Sequence, residues 1–536
     1  MAQNRLPGAN SQTVIYELEM LATVDGNTVT SSNPLPVTLG NSSINISASV
    51  VNVSVPNTIS VNSSANNPVH VHITDIGGTD ITGFTYMPVG GNVSIFQSTG
   101  AAINTANPLP VTAAITGTVT STPVAGAVDA FGRLRTSDGF TLGDYKHTYG
   151  LDPNFVDEKG PGANVVHISN QAAARLSTNN SPTSYAIHQT KQYHNYMPGK
   201  SQLIKSTINF YNATVNVTKR TGYFDANNGI YFEQAGNSTL SMVIRTDTGG
   251  TITERRVPQA QWNMDTCNTS ITGTVTGNVG SFNMDISNTQ IFWTDFQWLG
   301  VGRVRTGFVY NGELIVAHEF YNSNFLPTVY MSNPNLPVRC EIRNTGATTG
   351  ADFDQICSTV ISEGGYVESG IDWAITSGAA ARVAASGVDL PVIAIRLKNN
   401  FRTYPNRVMV RMGNVNLYAE NYPAYWKLVK LDSVSGLTLA NNTWISADVD
   451  SAVEYNLTGT AITGGDQMDN GIVGTTSPGG SAKGTGVSPI NNPSTAKKNF
   501  IAQNIASSNS EIFVIVGTGI GGSSDLWCGV QWREIY

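Results

Sequence analysis

Hydrophobic and polar side chains alternate with a period of two along most of the chain. This period is typical of β-strands, in which successive side chains point to opposite faces of a sheet. Helical periodicity is nearly absent, and its best candidates are short stretches at Ser169–Leu176 and Ser377–Ala385. The pattern therefore predicts an all-β protein. The clearest strand signals are SINISASVVNVSV, MVIRT, RVMVRM and EIFVIVG.

Turn dipeptides separate the strand signals. Asn311-Gly312 lies in the middle of RVRTGFVYNGELIVAHEF, and Asn228-Gly229 lies in YFDANNGIYFE. Asn and Gly tolerate the positive φ that tight hairpin turns require. We therefore predict that each of these two stretches forms a β-hairpin with its turn at the dipeptide.

The chain divides into three segments by composition. Residues 1–125 are predicted to be an extended β-rich N-terminal arm that serves as the attachment region. Residues 126–370 and residues 371–536 are predicted to form two β-sandwich-like domains. Within the last segment, residues 459–495 are rich in Gly and show no periodicity, so we predict a long exposed loop there.

The N-terminal segment has too few large apolar residues to build a core of its own. NPLPVT occurs at 33–38 and again at 107–112, and between the two copies valines alternate with small residues. A single chain would bury too little apolar surface to offset the entropy of ordering this segment. We expect other copies of the chain to complete the core, and a trimer is the expected assembly. A flexible linker is the alternative interpretation.

Charge is scarce, because only 12% of the residues are Asp, Glu, Lys or Arg, while 40% are hydrophobic. A net charge of −7 over 536 residues gives no electrostatic reason to expect a nucleic-acid partner. No run of 18 apolar residues exists, so we expect no membrane span. The first residues show no apolar leader, which favours synthesis and retention in a cytoplasm. The four cysteines lie far apart and are expected to be reduced and mostly buried.

The common catalytic motifs are absent from the sequence, including G-x-S-x-G, the phosphate-binding loop and H-E-x-x-H. Asp152, Asp157 and Glu158 are predicted to lie in a solvated loop. His188 and His194 are predicted to be polar residues at a strand edge. The remaining histidines, His147, His167 and His318, show no metal-ligand spacing. We therefore expect no enzymatic activity and no catalytic residue.

Four stretches of the middle segment carry distinctive motifs. They are DAFGRLRTSDGFTLGDYKHTYG, YMPGKSQLIKSTINF, VTKRTGYFDANNGIYFE and IFWTDFQWLGVGRVRTGFVYNGELIVAHEF, the last followed by LPVRCEI and DQICSTVISEGGY. Together they resemble a family of virion structural proteins encoded by tailed bacteriophages, especially contractile-tailed phages of cyanobacteria. The resemblance covers residues 126–370, with its motifs in collinear order. The arm is similar to the variable leader of such proteins, whereas the last third of the chain is matched less firmly.

The resemblance implies a structural component of the virion that is made in the cytoplasm of the bacterial host. Its implied partners are other copies of itself and other phage virion proteins. A tail fibre or baseplate-associated protein is the first expectation, because a thin leader precedes aromatic-rich domains. A head-decoration or cement protein that stabilises the capsid is the alternative. A receptor adhesin that binds host surface glycan is a further alternative, since exposed aromatic residues suit sugar stacking.

His70 and His72 are two residues apart in NNPVHVHITDI, so both imidazoles lie on one face of a predicted strand. The plainer interpretation is that they are polar residues on a half-exposed strand. In a trimer, however, six imidazoles would converge on the threefold axis, which suits an octahedral transition metal such as iron or zinc. Such pairs resemble those at the axes of some trimeric phage fibres. The sequence thus offers one inter-subunit metal site as a hypothesis and no other cofactor.

Overall fold

The computed structural model describes residues 138–271, 280–474 and 500–536, together with short backbone segments elsewhere. The chain divides into two compact units, Met1–Ala125 and Gly126–Tyr536. The predicted arm falls in the first unit and lies outside the described residues except for two short antiparallel pairs. These pairs join β1 (Thr23–Val24) with β2 (Asn27–Thr28) and β3 (Asp75–Ile76) with β4 (Thr79–Asp80).

The described part of the second unit consists of strands, turns and two 3-10 turns at Gln259–Gln261 and Val434–Gly436, with no α-helix. The predicted all-β class is therefore confirmed. Both helical candidates were wrong, because strands run through them at Ala173–Ser177 and Arg382–Ala384. Their small residues were compatible with either element, and pairing with neighbouring strands decided between them. The described residues contain no helix that is long and apolar enough to cross a bilayer.

The first sandwich contains fifteen strands between Phe140 and Ser362. They are β5 (Phe140–Lys146), β6 (Phe155–Lys159), β7 (Asn164–Ile168), β8 (Ala173–Ser177), β9 (Tyr185–Thr190), β10 (Gln202–Asn209), β11 (Val217–Phe224), β12 (Gly229–Gln234), β13 (Leu240–Thr246), β14 (Thr253–Pro258), β15 (Gln290–Phe296), β16 (Val304–Tyr310), β17 (Glu313–Phe320), β18 (Val338–Asn344) and β19 (Asp352–Ser362).

These strands form two antiparallel sheets that enclose one hydrophobic core. The eight-stranded sheet has the order β17-β16-β15-β10-β19-β8-β7, with β5 also paired to β19. The seven-stranded sheet has the order β14-β13-β12-β11-β18-β9-β6. Large aromatic side chains fill the space between the sheets, and Phe210, Phe232 and Phe308 are fully buried there. Burial of each such ring contributes about 2 to 3 kcal/mol to the stability of the sandwich.

Both predicted hairpins are present, and they differ in their turns. The hairpin of β16 and β17 turns at Asn311 and Gly312, with φ of 50° and 85°, as the dipeptide predicts. The hairpin of β11 and β12 turns over Asp225–Asn228, so its predicted position at Asn228-Gly229 was wrong. The Asp225 carboxylate accepts hydrogen bonds from two backbone N–H groups and thereby sets the turn. Gly229 begins β12 with a φ of 148°, and a Cβ there would lie only 2.0 Å from the Cβ of Phe224.

The second sandwich contains the remaining strands, from Ile371 to Ile535. They are β20 (Ile371–Thr376), β21 (Arg382–Ala384), β22 (Leu390–Leu397), β23 (Asn400–Phe401), β24 (Tyr404–Pro405), β25 (Met409–Glu420), β26 (Ala424–Leu431), β27 (Leu437–Leu439), β28 (Ile445–Ser446), β29 (Val453–Asn456), β30 (Gly459–Ile462), β31 (Asp466–Val473), β32 (Gly486–Pro489), β33 (Phe500–Ile501), β34 (Ile512–Gly519) and β35 (Ser524–Ile535).

Two six-stranded sheets build this second sandwich. One has the order β20-β35-β25-β32, with β21 on β35 and β33 on β25. The other has the order β28-β29-β22-β34-β26-β31. The core between them includes Trp426 and Trp532, both 1% exposed. Every residue of β34 is buried, which explains the unbroken apolar run FVIVG in the sequence.

The predicted loop at 459–495 was partly wrong. Its first part forms the strands Gly459–Ile462 and Asp466–Val473, and the latter pairs along its whole length with β26. This strand lies at a sheet edge and is largely exposed, so it lacks the apolar alternation on which the prediction depended. Backbone pairing with a buried neighbour is sufficient to hold it, and side-chain patterning does not reveal such pairing.

Ion pairs connect the two sandwiches through the carboxylate of Glu511. Lys191 of the first sandwich places its Nζ 2.7 Å from Glu511 Oε1, and Lys430 of the second places its Nζ 2.8 Å from Oε2. The backbone N–H of Ala502 also donates to Oε2, at 3.0 Å. Glu511 is only 6% exposed, so its charge depends on these partners for solvation.

We expect Glu511→Gln to lower the free energy of unfolding by about 3 kcal/mol, because it leaves two half-buried ammonium groups without their buried carboxylate partner. Urea unfolding followed by tryptophan fluorescence measures the change. The matched variant Lys191→Met removes one partner and leaves Lys430, so its effect should be smaller. A Glu511→Gln protein within 0.5 kcal/mol of the wild type would contradict this account of the interface.

Candidate functional site

Charged side chains occupy the outward face of the seven-stranded sheet. Alternation places Tyr223 and Phe232 in the core, and it places their neighbours Arg220 and Glu233 on the opposite face. The register of the sheet sets Arg220 directly opposite Glu233 on one side and Glu341 on the other. Arginines and glutamates thus meet across neighbouring strands, where opposite charges stabilise the pairing.

The resulting Arg–Glu lattice contains three glutamates, each held by two or more arginines. Glu341 accepts hydrogen bonds from Arg220 at 3.1 Å, from Arg339 at 2.5 Å and from Arg343 at 3.2 Å. The other two glutamates share Arg256 between them. The full set is Arg220, Arg245, Arg256, Arg339, Arg343, Glu233, Glu254 and Glu341.

The lattice covers a small aromatic cluster on the same face. Phe224, Tyr231 and Val243 are fully buried together. The guanidinium of Arg245 lies 5.1 Å from the centre of the Tyr231 ring and 5.8 Å from that of Phe224. Arg339 lies 5.3 Å from the Phe224 ring. Cation–π contacts of this kind stabilise desolvated arginines and hold their side chains in place.

The lattice lowers the pKa of two of its glutamates, Glu254 and Glu341. Burial alone would raise the pKa of Glu254, but hydrogen bonds from Tyr231 and Arg245 outweigh it and lower this pKa to about 2. Burial likewise opposes ionisation of Glu341, yet Arg339, Arg220 and Arg343 lower its pKa well below the usual range. A glycosidase needs one carboxylic acid with a raised pKa as its general acid. The chemistry available to these two glutamates is therefore charge pairing.

His188 and His194 lie inside the first sandwich and not at a polar strand edge, so that prediction was wrong. His188 is 1% exposed, and His194 is fully buried. The ring of His188 stacks on Phe155 with centroids 4.1 Å apart, and its Nδ1 lies 2.6 Å from the Asp157 carboxylate. Alternation on β9 turns His188 to the core face, where Asp157 of the neighbouring strand β6 can reach it.

The acidic group predicted to be solvated is in fact divided between a loop and a strand. Asp152 lies in the loop and accepts the backbone N–H of Asn154 at 2.9 Å. Asp157 and Glu158 belong to β6. The Tyr185 hydroxyl donates a hydrogen bond to Glu158 Oε1 at 2.9 Å. Their partners come from β9, which is distant in sequence, so composition alone did not reveal them.

The buried histidines His147 and His194 each satisfy both ring nitrogens with neutral partners. The backbone N–H of Asp152 donates to His147 Nδ1 at 3.0 Å, and His147 Nε2 donates to Gln355 at 3.0 Å. His194 Nδ1 donates to the carbonyl of Leu336 at 3.1 Å, and its Nε2 accepts the Tyr145 hydroxyl at 2.8 Å. Burial lowers the pKa of each of these two histidines to about 4.

Within the described ranges, no three His, Cys, Asp or Glu side chains are grouped to hold a metal ion. His70 and His72, the residues of the hypothetical inter-subunit site, lie outside the described residues. Three of the four thiols are buried, as predicted, and burial raises the pKa of Cys340 and Cys528 to about 12. Cys357 is exposed.

The Arg–Glu lattice was not identified from the sequence. Its signal was present in TERRVP and VRCEIRN, where arginine and glutamate recur at spacings of two and one. The strand pairings β11-β18 and β13-β14 were needed to show that these charges face one another. Register between strands distant in sequence cannot be read from local alternation.

Comparison with protein-family models returned no match, and comparison with curated proteins returned none. One similar solved structure is a β-1,3-glucanase from Mycobacterium marinum, which is 10% identical in sequence and has a TM-score of 0.28. The match covers 41% of this chain and 98% of that chain. The Emp47p carbohydrate recognition domain shows 12% identity, coverage of 42% and 95%, and a TM-score of 0.26. A protein of unknown function from Shewanella oneidensis MR-1 shows 8% identity, coverage of 46% and 95%, and a TM-score of 0.26. Similarities this low carry no functional conclusion.

We expect Glu341→Gln to lower the free energy of unfolding by about 3 to 5 kcal/mol, because three arginines then lose their shared carboxylate. Glu313→Gln is the matched control, since Glu313 is exposed beside a hairpin turn and should change stability by less than about 0.5 kcal/mol. Urea unfolding of both variants gives the comparison. Equal effects of the two substitutions would contradict the role assigned to the lattice.

Buried histidines should make the protein less stable as the pH falls from 6.5 toward 4. Burial lowers the pKa of His147, His194 and His318 to about 4, whereas the unfolded chain binds these protons near pH 6.5. Their stabilising contribution is complete above pH 6.5, and each should lose about 2 kcal/mol of it by pH 5. His194→Gln should reduce the stability difference between pH 8 and pH 5 by that amount. An unchanged difference would contradict the assignment.

Proposed function

We propose that the chain is a non-enzymatic structural component of a tailed-phage virion, located on the tail as a fibre or baseplate-associated protein. The collinear motifs of residues 126–370 support the family. The observation that carries the structural role is the Arg–Glu lattice, whose glutamates are neutralised by arginines of the same sheet. Such a face holds a sheet together and commits its carboxylates to charge pairing, which suits a scaffold better than a hydrolase.

The motif residues also support a scaffolding role by their positions. Trp293 of IFWTDFQWLGVG is 2% exposed, and its indole N–H donates to the carbonyl of Phe308 on the neighbouring strand. Val304 and Thr306 are buried in the alternation with Arg303 and Arg305. These residues therefore hold neighbouring strands of the sandwich together.

In this proposal the protein is made in the host cytoplasm and assembles into the particle as a trimer that contacts other virion proteins. Native mass measurement of the purified full chain should give three chains per particle. A stable monomer would contradict the proposed assembly.

Location and copy number in the virion separate the tail from the head. Gold-labelled antibodies should mark the tail, and quantitative mass spectrometry of purified particles should find a few to a few dozen copies. A hundred or more copies, with label on the capsid, would favour a head-decoration protein instead. Absence from purified particles would contradict both locations.

An adhesin that binds host glycan is the second candidate function. It is favoured by a pair of aromatic side chains that the second sandwich presents to solvent, Tyr418 and Trp527.

A further inference from the structure

Two aromatic side chains lie next to each other on the solvent-facing side of the β20-β35-β25-β32 sheet. Tyr418 of β25 and Trp527 of β35 are cross-strand partners. Their chain neighbours Leu417, Leu526 and Cys528 are buried in the core, so alternation turns both rings outward. The ring centroids lie 5.5 Å apart with planes inclined at 46°, and both residues are half-buried.

The sheet holds this pair in a fixed orientation before any ligand arrives. The Trp527 indole N–H donates to the carbonyl of Ala379 at 3.1 Å, which uses its only polar group and fixes the ring. The two strands that carry the rings pair with each other over most of their length. A rigid aromatic surface loses little entropy on binding and therefore favours affinity.

Hydrogen-bonding side chains surround the aromatic pair. Asn416 and Glu420 lie two residues away from Tyr418 on the same strand face, and both are exposed. Asp525 lies two residues from Trp527 and accepts a hydrogen bond from Asn421 at 2.8 Å. Side chains that can donate or accept hydrogen bonds therefore border the two rings, two residues away along the strands.

A glycine lies next to Trp527 on the outward face of the sheet. Gly529 follows Trp527 on this face and lies opposite Asn416. Gly529 has no side chain, and a Cβ there would make only ordinary van der Waals contacts, the nearest with the carbonyl oxygen of Ile375 at 3.8 Å. Beyond it, Gln531 accepts a hydrogen bond from Asn414 at 3.1 Å. Amide groups therefore border Gly529 on the side away from the rings.

We infer that this face, defined as Tyr418, Trp527, Asn416, Glu420 and Asp525, binds the pyranose rings of a neutral polysaccharide. A pyranose presents polarised C–H bonds on one face, which match the negative face of an aromatic ring. Its hydroxyl groups can donate hydrogen bonds to the carboxylates of Glu420 and Asp525 and can exchange hydrogen bonds with the Asn416 amide. This inference rests on the second proposed function, the glycan-binding adhesin, and names the residues that would bind the glycan. It does not depend on where in the virion the protein is located.

Other ligand classes fit this face less well. The carboxylates of Glu420 and Asp525 would repel the phosphates of a nucleic acid. Arg533, an arginine farther along β35, is already paired with Asp372, at 2.7 and 2.8 Å. A protein partner would need about 800 Å² of complementary surface with an apolar centre, whereas two half-buried rings bordered by polar groups supply much less.

The test uses the purified full chain on an array of bacterial lipopolysaccharides, capsular polysaccharides and exopolysaccharides. We expect the wild type to bind at least one polysaccharide of neutral hexoses. Trp527→Ala and Tyr418→Ala should each weaken that binding at least tenfold, and Trp527→Phe should retain more binding than Trp527→Ala. Tyr404→Ala is the matched control, because Tyr404 is 73% exposed in the same sandwich and should change binding by less than twofold.

Thermal unfolding of each variant shows whether the sandwich remains folded. If Trp527→Ala does not fold, then Tyr418→Ala and Trp527→Phe decide the outcome. A wild type that binds no polysaccharide on the array would overturn the inference, as would equal losses in Trp527→Ala and Tyr404→Ala. Particle labelling is a separate measurement, so a protein absent from virions that still binds glycan through Trp527 would refute only the proposed location.

Discussion

The two-sidedness of an antiparallel strand is the constraint on which the rest of this structure depends. Each strand of the first sandwich turns one set of alternate side chains to the core and the other set away from it. In the seven-stranded sheet the outer set is largely buried as well, and Glu233, Arg245, Arg339 and Glu341 are all less than 10% exposed. Charged side chains on a buried face must find partners there. Cross-strand pairing of arginine with glutamate meets this requirement. The pairing depends on the observed alignment of the strands, which places opposite charges next to each other.

The lattice therefore has a role beyond its modest energy. A one-residue slip of any strand would bring the charged set into the aromatic core and the aromatic set to the outer face. Both changes would be costly, since an unpaired buried charge and an exposed aromatic cluster each destabilise a fold. Buried ion pairs often contribute little to stability compared with apolar replacements. Here they specify which strands pair and in which alignment.

The sequence predicted what is local, because local features depend on residues that are near one another in the chain. The all-β class followed from the period of two, and the turn at Asn311 and Gly312 followed from the backbone freedom of that dipeptide. The burial of His188 did not follow, because its partner Asp157 lies on another strand. The strand at Asp466–Val473 also did not follow, since an exposed edge strand carries little apolar pattern.

The candidate sites show the same division. Exposed aromatic residues can be expected from the sequence as a class, but the pair of Tyr418 and Trp527 exists only because 108 intervening residues return β35 to β25. Likewise, the lattice depends on β18 returning beside β11. Chemistry that is assembled across strands requires the register, and the register is set by the whole sandwich.

Each sandwich is completed by its own last strand. In the first, β19 pairs with β5, β8 and β10, and in the second, β35 pairs with β20, β21 and β25. A ribosome delivers the chain from its N-terminus, so neither sheet has its central partner until the end of that sandwich has been synthesised. The first sandwich can therefore close only after Ser362 has emerged, and the second only after Ile535 has emerged. Synthesis thus completes the two sandwiches one after the other, and the apolar strands of each lack their last partner until that strand is made.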